Sequence, residues 1–211
     1  MVAFNLSATL NALRVLHKPT LLQPHLTIPT FADLPVPLSP HIRAVILDKD
    51  NCFAVPHALE VYPGYNEKFK QLKEAYPGGR LLIVSNSSGT TWDDPGGKEA
   101  AILEQNTGVT VLRHSTKKPG CHAEIFTHLV AADIGVTRPD QVAVVGDRLF
   151  TDVLMANLMG SYAVWVKEGV ISPEKRFYGR VEWGLAAFME RRGWAPPTPS
   201  SRLLSVAGKK E

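Results

Sequence analysis

The sequence predicts an α/β fold of three layers, in which helices cover both faces of a central parallel sheet. Five short apolar runs, most of them rich in β-branched residues, alternate with segments of helical periodicity. Glycine and proline cluster between these segments, for example at 77–79 and 94–97. Strands that alternate with helices are typical of βα units and a parallel sheet. The predicted strands are 43–47, 80–84, 109–113, 141–145 and 162–166, and the predicted helices are 65–75, 98–105, 121–134 and 151–159.

The composition is that of a globular protein with a small excess of positive charge. Of the 211 residues, 45% are hydrophobic and 20% are charged, and the net charge is +3. These values exclude a disordered chain. The charge is too small to indicate a nucleic-acid partner, but it fits an anionic substrate or a membrane surface. A chain of this length holds one domain of about 150 residues with extensions.

Several other classes of protein are excluded by what the chain lacks. Cys52 and Cys121 do not have the spacing of a zinc site and cannot form a disulfide framework, so we expect buried free thiols in a reducing compartment. No apolar run approaches the length of about 20 residues that crosses a bilayer. The sequence has no glycine-rich nucleotide loop and no Gly-x-Ser-x-Gly hydrolase motif.

The first forty residues differ in character from the rest. No acidic residue precedes Asp33, and Pro19 should end an amphipathic helix. The leucines on one face of that helix are Leu6, Leu10, Leu13 and Leu16. Such a segment fits a mitochondrial transit peptide, an anchor at a membrane interface, or a helix packed on the domain or on another subunit. We assign 1–40 to membrane association or targeting, 41–194 to the α/β domain, and 195–211 to a flexible tail.

Polar side chains of different chemical kinds follow the first four predicted strands. They are Asp48 and Asp50 after the first strand, Ser85 and Asn86 after the second, Lys118 in the loop after the third, and Asp147, Arg148 and Asp152 after the fourth. The carboxyl ends of parallel strands share one edge of a sheet, where α/β proteins bind their ligands. An Asp-x-Asp pair alone is a weak signal, because Asp is an ordinary turn residue. Agreement among four strand ends predicts a functional site.

This set of residues has the chemistry of magnesium-dependent phosphoryl transfer. A carboxylate, here Asp48, can attack phosphorus and form an aspartyl-phosphate that water then hydrolyses. Asp50 would act first as general acid and then as general base, a role that requires a raised pKa. Because phosphate and carboxylate repel each other, a cation must bridge them, and Mg²⁺ prefers oxygen ligands. The expected ligands are Asp48, the backbone carbonyl of Asp50, and Asp147. Asp152 would bind the ion through a water molecule or would orient one of the direct ligands.

Other polar residues at the same edge would contact the phosphate or the nucleophile. Ser85 and the amide of Asn86 would hold phosphate oxygens. Lys118 would offset the negative charge of the site and orient Asp48. Lys117 competes for the role of the lysine, since the two are adjacent in the chain. Arg148 would contact the substrate phosphate or pair with a surface acid.

The four motifs resemble those of the haloacid-dehalogenase (HAD) superfamily of phosphatases over residues 43–167. The runs Asp-Lys-Asp-Asn, Ser-Asn-Ser and Gly-Asp-Arg-Leu-Phe-Thr-Asp are similar to those of one capless subfamily. The resemblance implies a Rossmann-like HAD fold without a cap domain, with the strand before Asp48 central in the sheet. Cys52 is a departure, because many members carry a hydroxyl residue or an extra strand there. That departure leaves the phosphate contacts of this loop open.

The resemblance to the capless subfamily extends into 7–11 and 24–31 and bears on the substrate. It implies dephosphorylation of phosphatidylglycerophosphate, a step of cardiolipin synthesis, by a peripheral protein on the matrix side of the mitochondrial inner membrane. The gaps 51–84 and 86–117 each have room for a loop, one helix and one strand, which also favours a fold without a lid, although 60–65 could form a small flap. An open site admits a phosphate on a protein, a nucleic-acid end or a lipid, whereas small metabolites usually need enclosure.

We therefore expect a Mg²⁺-dependent phosphatase with a phospholipid substrate, no nucleic-acid partner, and homo-oligomer formation left open. One alternative is a capless phosphatase that acts on phosphoproteins or soluble phosphate esters. A second alternative, of another class, is a non-catalytic membrane scaffold. Asp48 and Asp50 together argue against the scaffold, which needs neither carboxylate.

Overall fold

Six parallel strands form one sheet in residues 14–171 and 177–200, the part of the chain described by the computed structural model. They are β1 (Leu26–Ile28), β2 (Ala44–Leu47), β3 (Leu81–Ile83), β4 (Thr110–Val111), β5 (Val142–Gly146) and β6 (Tyr162–Val166). Their order across the sheet is β1-β6-β5-β2-β3-β4, and every neighbouring pair is parallel. Strand β2 is therefore central, between β5 and β3.

Helices cover both faces of this sheet. The helices are α1 (Asn66–Ala75), α2 (Lys98–Thr107), α3 (His122–Ala131), α4 (Leu154–Met159) and α5 (Phe177–Arg191). Helices α1 and α2 pack in one apolar cluster, and α3, α4 and α5 pack in another. Successive residues of β2 alternate between the two clusters, and all four are buried. This is the pattern of a sheet covered on both faces, and the predicted three-layer α/β fold with a Rossmann-like parallel sheet is confirmed.

The predicted elements are all present, with local differences. Four predicted strands end within one residue of β2, β3, β5 and β6, whereas 109–113 is reduced to β4. The predicted helix 121–134 ends at Ala131, because Asp133 and Gly135 adopt positive φ values of 49° and 80° that interrupt helical geometry. The predicted helix 151–159 begins instead as a π-helical turn, Leu149–Val153, and continues as α4. Strand β1, only three residues long and close to two prolines, was not predicted.

Much of the assigned N-terminal segment packs on the α/β domain. Leu21 and Leu22 are buried in the cluster of α3, α4 and α5, and β1 extends the sheet beside β6. The side-chain amide of Asn157 donates to the carbonyls of Leu21 (2.7 Å) and Gln23 (2.9 Å). The predicted amphipathic helix lies largely outside the described residues; its last leucine, Leu16, is 79% exposed. The role of 1–40 in targeting or membrane association stays a prediction.

The start of the predicted flexible tail also contacts the domain. The Ser200 amide donates to the carbonyl of Gly160 (2.9 Å), and the Pro197 carbonyl lies 2.9 Å from Nε2 of His25. The rest of the tail, 201–211, lies outside the described residues. Among the described residues, no helix has both the length and the apolar character needed to cross a bilayer.

Candidate active site

The central strand and its two neighbours bring the predicted residues together. Leu47, the last residue of β2, pairs with Val145 of β5 and Ile83 of β3. Asp48 follows β2 and Asp147 follows β5 directly, and Ser85 is the second residue after β3, so all three lie at the carboxyl edge of the sheet. The amide of Asp48 continues the ladder by donating to the Val145 carbonyl at 2.9 Å. The edge predicted from the strand ends is thus formed by three adjacent strands.

Three buried carboxylates form a cluster at this edge. Asp48, Asp147 and Asp152 are each at most 6% exposed, and each offers one oxygen within 4.8 Å of the others. Oxygen ligands from carboxylates are those that Mg²⁺ and Ca²⁺ prefer. The cluster therefore fits a divalent cation, although it does not distinguish which one. Asp152 was predicted to bind the ion through a water molecule or to orient a direct ligand, but one of its carboxylate oxygens lies within the cluster itself.

Lys118 is the buried cation that faces these carboxylates. Its Nζ donates to Oδ1 of Asp48 and, at 2.6 Å, to Oδ1 of Asp152. Lys117 instead extends toward the surface, where it pairs with Asp93 at 2.5 Å. Of the two lysines between which the sequence left the choice open, Lys118 is the one that contacts the carboxylates; its role in orienting the nucleophile stays a prediction.

The charge of the cluster exceeds what Lys118 can neutralise. Burial raises the pKa of Asp48 to about 8; the ammonium of Lys118 opposes this shift, and the charges of Asp152 and Asp147 add to it. Burial alone would lower the pKa of Lys118, but the Asp152 and Asp48 carboxylates outweigh burial and raise it. One ammonium thus stands against three carboxylates, and a divalent cation would supply the missing positive charge.

Asn86 fixes the backbone of the lysine. Its Oδ1 accepts from the amide of Lys118 at 2.7 Å, and its Nδ2 donates to the Lys118 carbonyl at 3.5 Å. His114, which the sequence reasoning missed, lies beneath, with Nε2 3.1 Å from the Ser85 carbonyl and Nδ1 2.7 Å from the Thr116 carbonyl. Loops after β3 and β4 are therefore tied together around the lysine. The predicted contact of the Asn86 amide with phosphate stays a prediction.

Asp50 lies beside the cluster in a different environment from the one expected. Its Oδ1 accepts from Nζ of the buried Lys49 (2.5 Å) and from the amide of His57 (2.7 Å), and its Oδ2 accepts from the hydroxyl of Ser87. Burial alone would raise the pKa of Asp50, but the Lys49 ammonium and these hydrogen bonds outweigh burial and lower it. The expected raised pKa of Asp50 is wrong for this state, because its nearest charged neighbour is a lysine and not a carboxylate.

The remaining predicted contacts line or underlie an open cleft of about 430 Å³. Asn86 and Arg148 line this cleft together with Ser87, whereas Ser85 is fully buried and accepts from the Ser87 amide at 3.2 Å. Phosphate binding by Ser85 and Arg148 stays a prediction. Over residues 50–118, all of them described, the chain forms α1, β3, α2, β4 and short turns without a separate lid domain.

Three local features hold Asp147 and Asp152 in place. The side-chain amide of Asn51 donates to Oδ2 of Asp147 at 2.8 Å. The π-helical turn after β5 folds Asp152 back, so that its Oδ2 accepts from the Arg148 amide at 3.2 Å. A Cβ on Gly146 would lie 2.4 Å from Cγ of Asp152, so the glycine of the Gly-Asp motif leaves space for that carboxylate.

Residues 6–171 match the sequence profile of the mitochondrial PGP phosphatase family. The chain belongs to this family. The matched range includes the whole carboxylate cluster, Lys118 and Asp50. The phosphatase assignment made from the motifs is confirmed.

Individual relatives agree with the match to the PGP phosphatase family. The chain is 53% identical over 166 residues to the mitochondrial phosphatidylglycerophosphatase GEP4 of Saccharomyces cerevisiae, covering 79% of this chain and 89% of that protein. It is 36% identical over 169 residues to a probable mitochondrial phosphatidylglycerophosphatase of Schizosaccharomyces pombe, covering 74% and 79%. It is 42% identical over 134 residues to the chloroplastic phosphatidylglycerophosphate phosphatase 1 of Chlamydomonas reinhardtii, covering 63% and 47%.

Cys52 and Cys121 are both free and buried, as expected from the sequence, whereas Glu182 of this PGP phosphatase family member had no clear signal in the sequence. Cys52 is fully buried, with Sγ 3.8 Å from the Val145 carbonyl, and burial raises the pKa of its thiol. Glu182 of α5 is 3% exposed, and its carboxylate accepts from the Phe150 amide at 3.3 Å. Burial raises the pKa of Glu182 to about 7. Nothing distinguishes this glutamate from the other acids of an amphipathic helix until the helix is docked.

Lys118→Met should lower kcat for an aryl phosphate by about 10²-fold or more, because it removes a charge preorganised at the nucleophile. Lys117→Met should change kcat by less than about threefold, since exposed ion pairs contribute little. Steady-state kinetics of both variants, with circular dichroism as a check of folding, makes the comparison. Equal losses would contradict the assignment of Lys118.

Gly146→Ala should lower the free energy of unfolding by about 1–3 kcal/mol, because its Cβ would overlap the buried Asp152 carboxylate. Gly184→Ala in α5 is the matched control. No atom lies within 4 Å of the added methyl group there, so the helix should gain about 0.5–1 kcal/mol. Urea denaturation measures both changes. An unchanged free energy of unfolding in Gly146→Ala would refute the close approach of Gly146 to the Asp152 carboxylate.

Glu182→Gln should change how stability depends on pH. The pKa of this carboxyl is raised from 4.5 to about 7 on folding, so the folded protein keeps a proton that the unfolded chain releases. The native protein therefore loses stability as the pH rises from about 4.5 to 7, by up to about 3 kcal/mol, and the variant lacks this loss. Urea unfolding of both proteins across this pH range, in metal-free buffer, tests the direction of this pH dependence. If the two free energies of unfolding differed by the same amount at every pH, the raised pKa of Glu182 would be contradicted.

Proposed function

We propose that this chain is a Mg²⁺-dependent phosphatase that converts phosphatidylglycerophosphate to phosphatidylglycerol in cardiolipin synthesis, through an aspartyl-phosphate. The observation that carries the proposal is the buried cluster of Asp48, Asp147 and Asp152 with Lys118 against it. The names of the relatives support the substrate and a mitochondrial location. A peripheral position on the matrix side of the inner membrane is part of the proposal.

The chemistry begins with the nucleophile. A carboxylate oxygen of Asp48 attacks phosphorus, the new oxygen–phosphorus bond forms, and the bond from phosphorus to the leaving oxygen breaks. Lys118 holds the other side of the Asp48 carboxylate and keeps it aimed into the cleft. Because its pKa is lowered in the free protein, Asp50 must first take up a proton when the substrate binds; it then gives that proton to the leaving oxygen of the lipid glycerol. Water then attacks the aspartyl-phosphate, Asp50 takes a proton from that water, and phosphate is released.

The donor set at the cluster fits Mg²⁺. Carboxylate oxygens of Asp48, Asp147 and Asp152, with the backbone carbonyl of Asp50, would hold it. When bound, the ion would neutralise charge on the phosphate and lower its repulsion from Asp48. Asn51 keeps Asp147 oriented by donating to its second oxygen. Ser85, Asn86 and Arg148 are the proposed phosphate contacts.

Asp48→Asn should abolish turnover of phosphatidylglycerophosphate, because an amide cannot form the acyl phosphate, while the fold is kept. Native protein quenched in acid during turnover of ³²P-labelled substrate should carry label, and the variant should carry none. Asp140→Asn, a substitution in the turn before β5, serves as the control and should keep both labelling and turnover. Turnover that persists in Asp48→Asn would exclude this mechanism.

The substrate is tested by competition between lipid and protein phosphates. Native protein should release phosphate from phosphatidylglycerophosphate in detergent micelles or liposomes and much more slowly from a panel of soluble phosphopeptides. Replacing Mg²⁺ by Ca²⁺ should inhibit, because Ca²⁺ favours higher coordination and looser geometry. Faster release from the phosphopeptides would favour the alternative of a protein phosphatase, and no release from any substrate would favour a scaffold.

A further inference from the structure

Large apolar side chains are exposed next to residues that line the active-site cleft. Trp92 is 74% exposed and precedes Asp93, which lines the cleft; Val55 is 39% exposed and precedes Pro56, which also lines it. Phe150 is 38% exposed and lies between two further lining residues, Arg148 and Thr151.

Helix α5 adds a fourth exposed apolar side chain, next to a residue that contacts Phe150. Val181 is 51% exposed and adjoins Glu182, whose carboxylate accepts from the Phe150 amide. We call the four residues Val55, Trp92, Phe150 and Val181 the cleft rim. They come from four separate segments of the chain, namely the loops after β2 and β3, the turn after β5, and helix α5.

The depth of the nucleophile limits how a lipid phosphate can reach it. Asp48 is only 6% exposed at the base of the cleft. The polar headgroup layer on each side of a bilayer is roughly 5–8 Å thick, so a phosphate on a membrane lipid cannot project far from the surface. The mouth of the cleft must therefore enter the headgroup layer if the lipid stays in its bilayer. The side chains at that mouth then contact lipid.

We propose that the cleft rim is the surface by which this protein docks on a phospholipid bilayer, with the active-site cleft facing the membrane. The proposal rests on the proposed lipid substrate. Tryptophan is enriched at the level of lipid headgroups, where Trp92 would lie, and apolar area buried in the interface supplies binding energy. A bilayer, in contrast to a protein partner, accepts apolar side chains that are spread around a polar opening.

The test compares two double variants of the full chain. Trp92→Gln with Val181→Gln removes opposite parts of the rim. The matched control, Leu26→Gln with Val130→Gln, replaces exposed apolar residues at the start of β1 and the end of α3, near the other edge of the sheet. Vesicle flotation and turnover are measured with vesicles of phosphatidylcholine, phosphatidylglycerol and phosphatidylglycerophosphate. A detergent-micelle form of the substrate and p-nitrophenyl phosphate are measured in parallel.

The rim variant should bind vesicles about tenfold more weakly or worse, and its turnover on vesicles should fall in proportion. Its kcat/KM on p-nitrophenyl phosphate should stay within about twofold of native, and the control variant should match native in all assays.

Equal vesicle binding by native and rim variants would overturn the docking surface. So would a concentration-dependent native dimer that the rim variant abolishes, because a second copy would then cover the rim. No native turnover of phosphatidylglycerophosphate, even in micelles, would overturn the proposed function instead.

A second inference concerns Lys49 and rests on the proposed role of Asp50. Lys49 is fully buried, with Nζ 2.5 Å from Oδ1 of Asp50 and 3.2 Å from the carbonyl of Ala58. The amide of His57 donates to the same Oδ1. One ammonium thus joins the carboxylate to the turn at 55–58, which carries part of the cleft rim. A buried ion pair is weak support for stability, so its geometry calls for another explanation.

We propose that Lys49 is a positioning residue that holds the Asp50 carboxyl in the orientation needed for proton transfer to the leaving oxygen. Lys49→Met keeps an unbranched side chain, one atom shorter than that of lysine, and removes its charge. Its kcat should fall about 10²-fold for an alkyl phosphate such as phosphatidylglycerophosphate in micelles, because an alkoxide leaves poorly without a proton. For p-nitrophenyl phosphate the fall should be only a few-fold, since p-nitrophenolate leaves unaided.

Asp50→Asn calibrates this comparison and should show the same dependence on the leaving group. If Lys49→Met lowers both rates equally while Asp50→Asn lowers the alkyl rate selectively, Lys49 has only a structural role and the inference is overturned. If Asp50→Asn also lowers both rates equally, the proposed acid is wrong, which is a failure of the mechanism. Thermal unfolding of each variant in the same buffer confirms that the rates compare folded proteins.

Discussion

The contact of the Lys118 ammonium with the carboxylates of Asp48 and Asp152 is the interaction on which the rest of the site depends. Three carboxylates cannot share a buried position without positive charge beside them. Lys118 supplies part of that charge, and Asn86 fixes the lysine by bonding both polar groups of its backbone. The arrangement still carries excess negative charge, and this excess is what fits the cluster to a divalent cation.

The order of the strands converts distant segments into one site. Because β2 lies between β3 and β5, the residues after all three strands meet at one edge. The same topology leaves the edge open, since each connection holds one helix and no lid domain over residues 50–118. An open cleft over the buried Asp48, the proposed nucleophile, suits a substrate whose bulk stays outside the protein, and the cleft rim is the proposed contact with that bulk.

The sequence predicted the sheet and the position of the site because both depend on local patterns: apolar runs, breakers, and polar residues at strand ends. It could not decide which of Lys117 and Lys118 faces the carboxylates, because the direction of adjacent loop side chains is set only by the folded backbone. The lowered pKa of Asp50 and the raised pKa of Glu182 depend on burial and on neighbours brought by folding, Lys49 in one case and the docking of α5 in the other. Strand β1 was missed because three residues between prolines show no periodicity, and only pairing with β6 defines them.

The central claim is that the carboxylates of Asp48, Asp147 and Asp152 hold a single divalent ion. Isothermal titration of Mg²⁺ into metal-free protein tests it most directly, with Asp147→Asn as the comparison because Asp147 belongs to the cluster but is not the proposed nucleophile. The account predicts one Mg²⁺ per native chain and binding at least about tenfold weaker in the variant. Absence of binding to the native protein, or equal affinity in the two proteins, would contradict it.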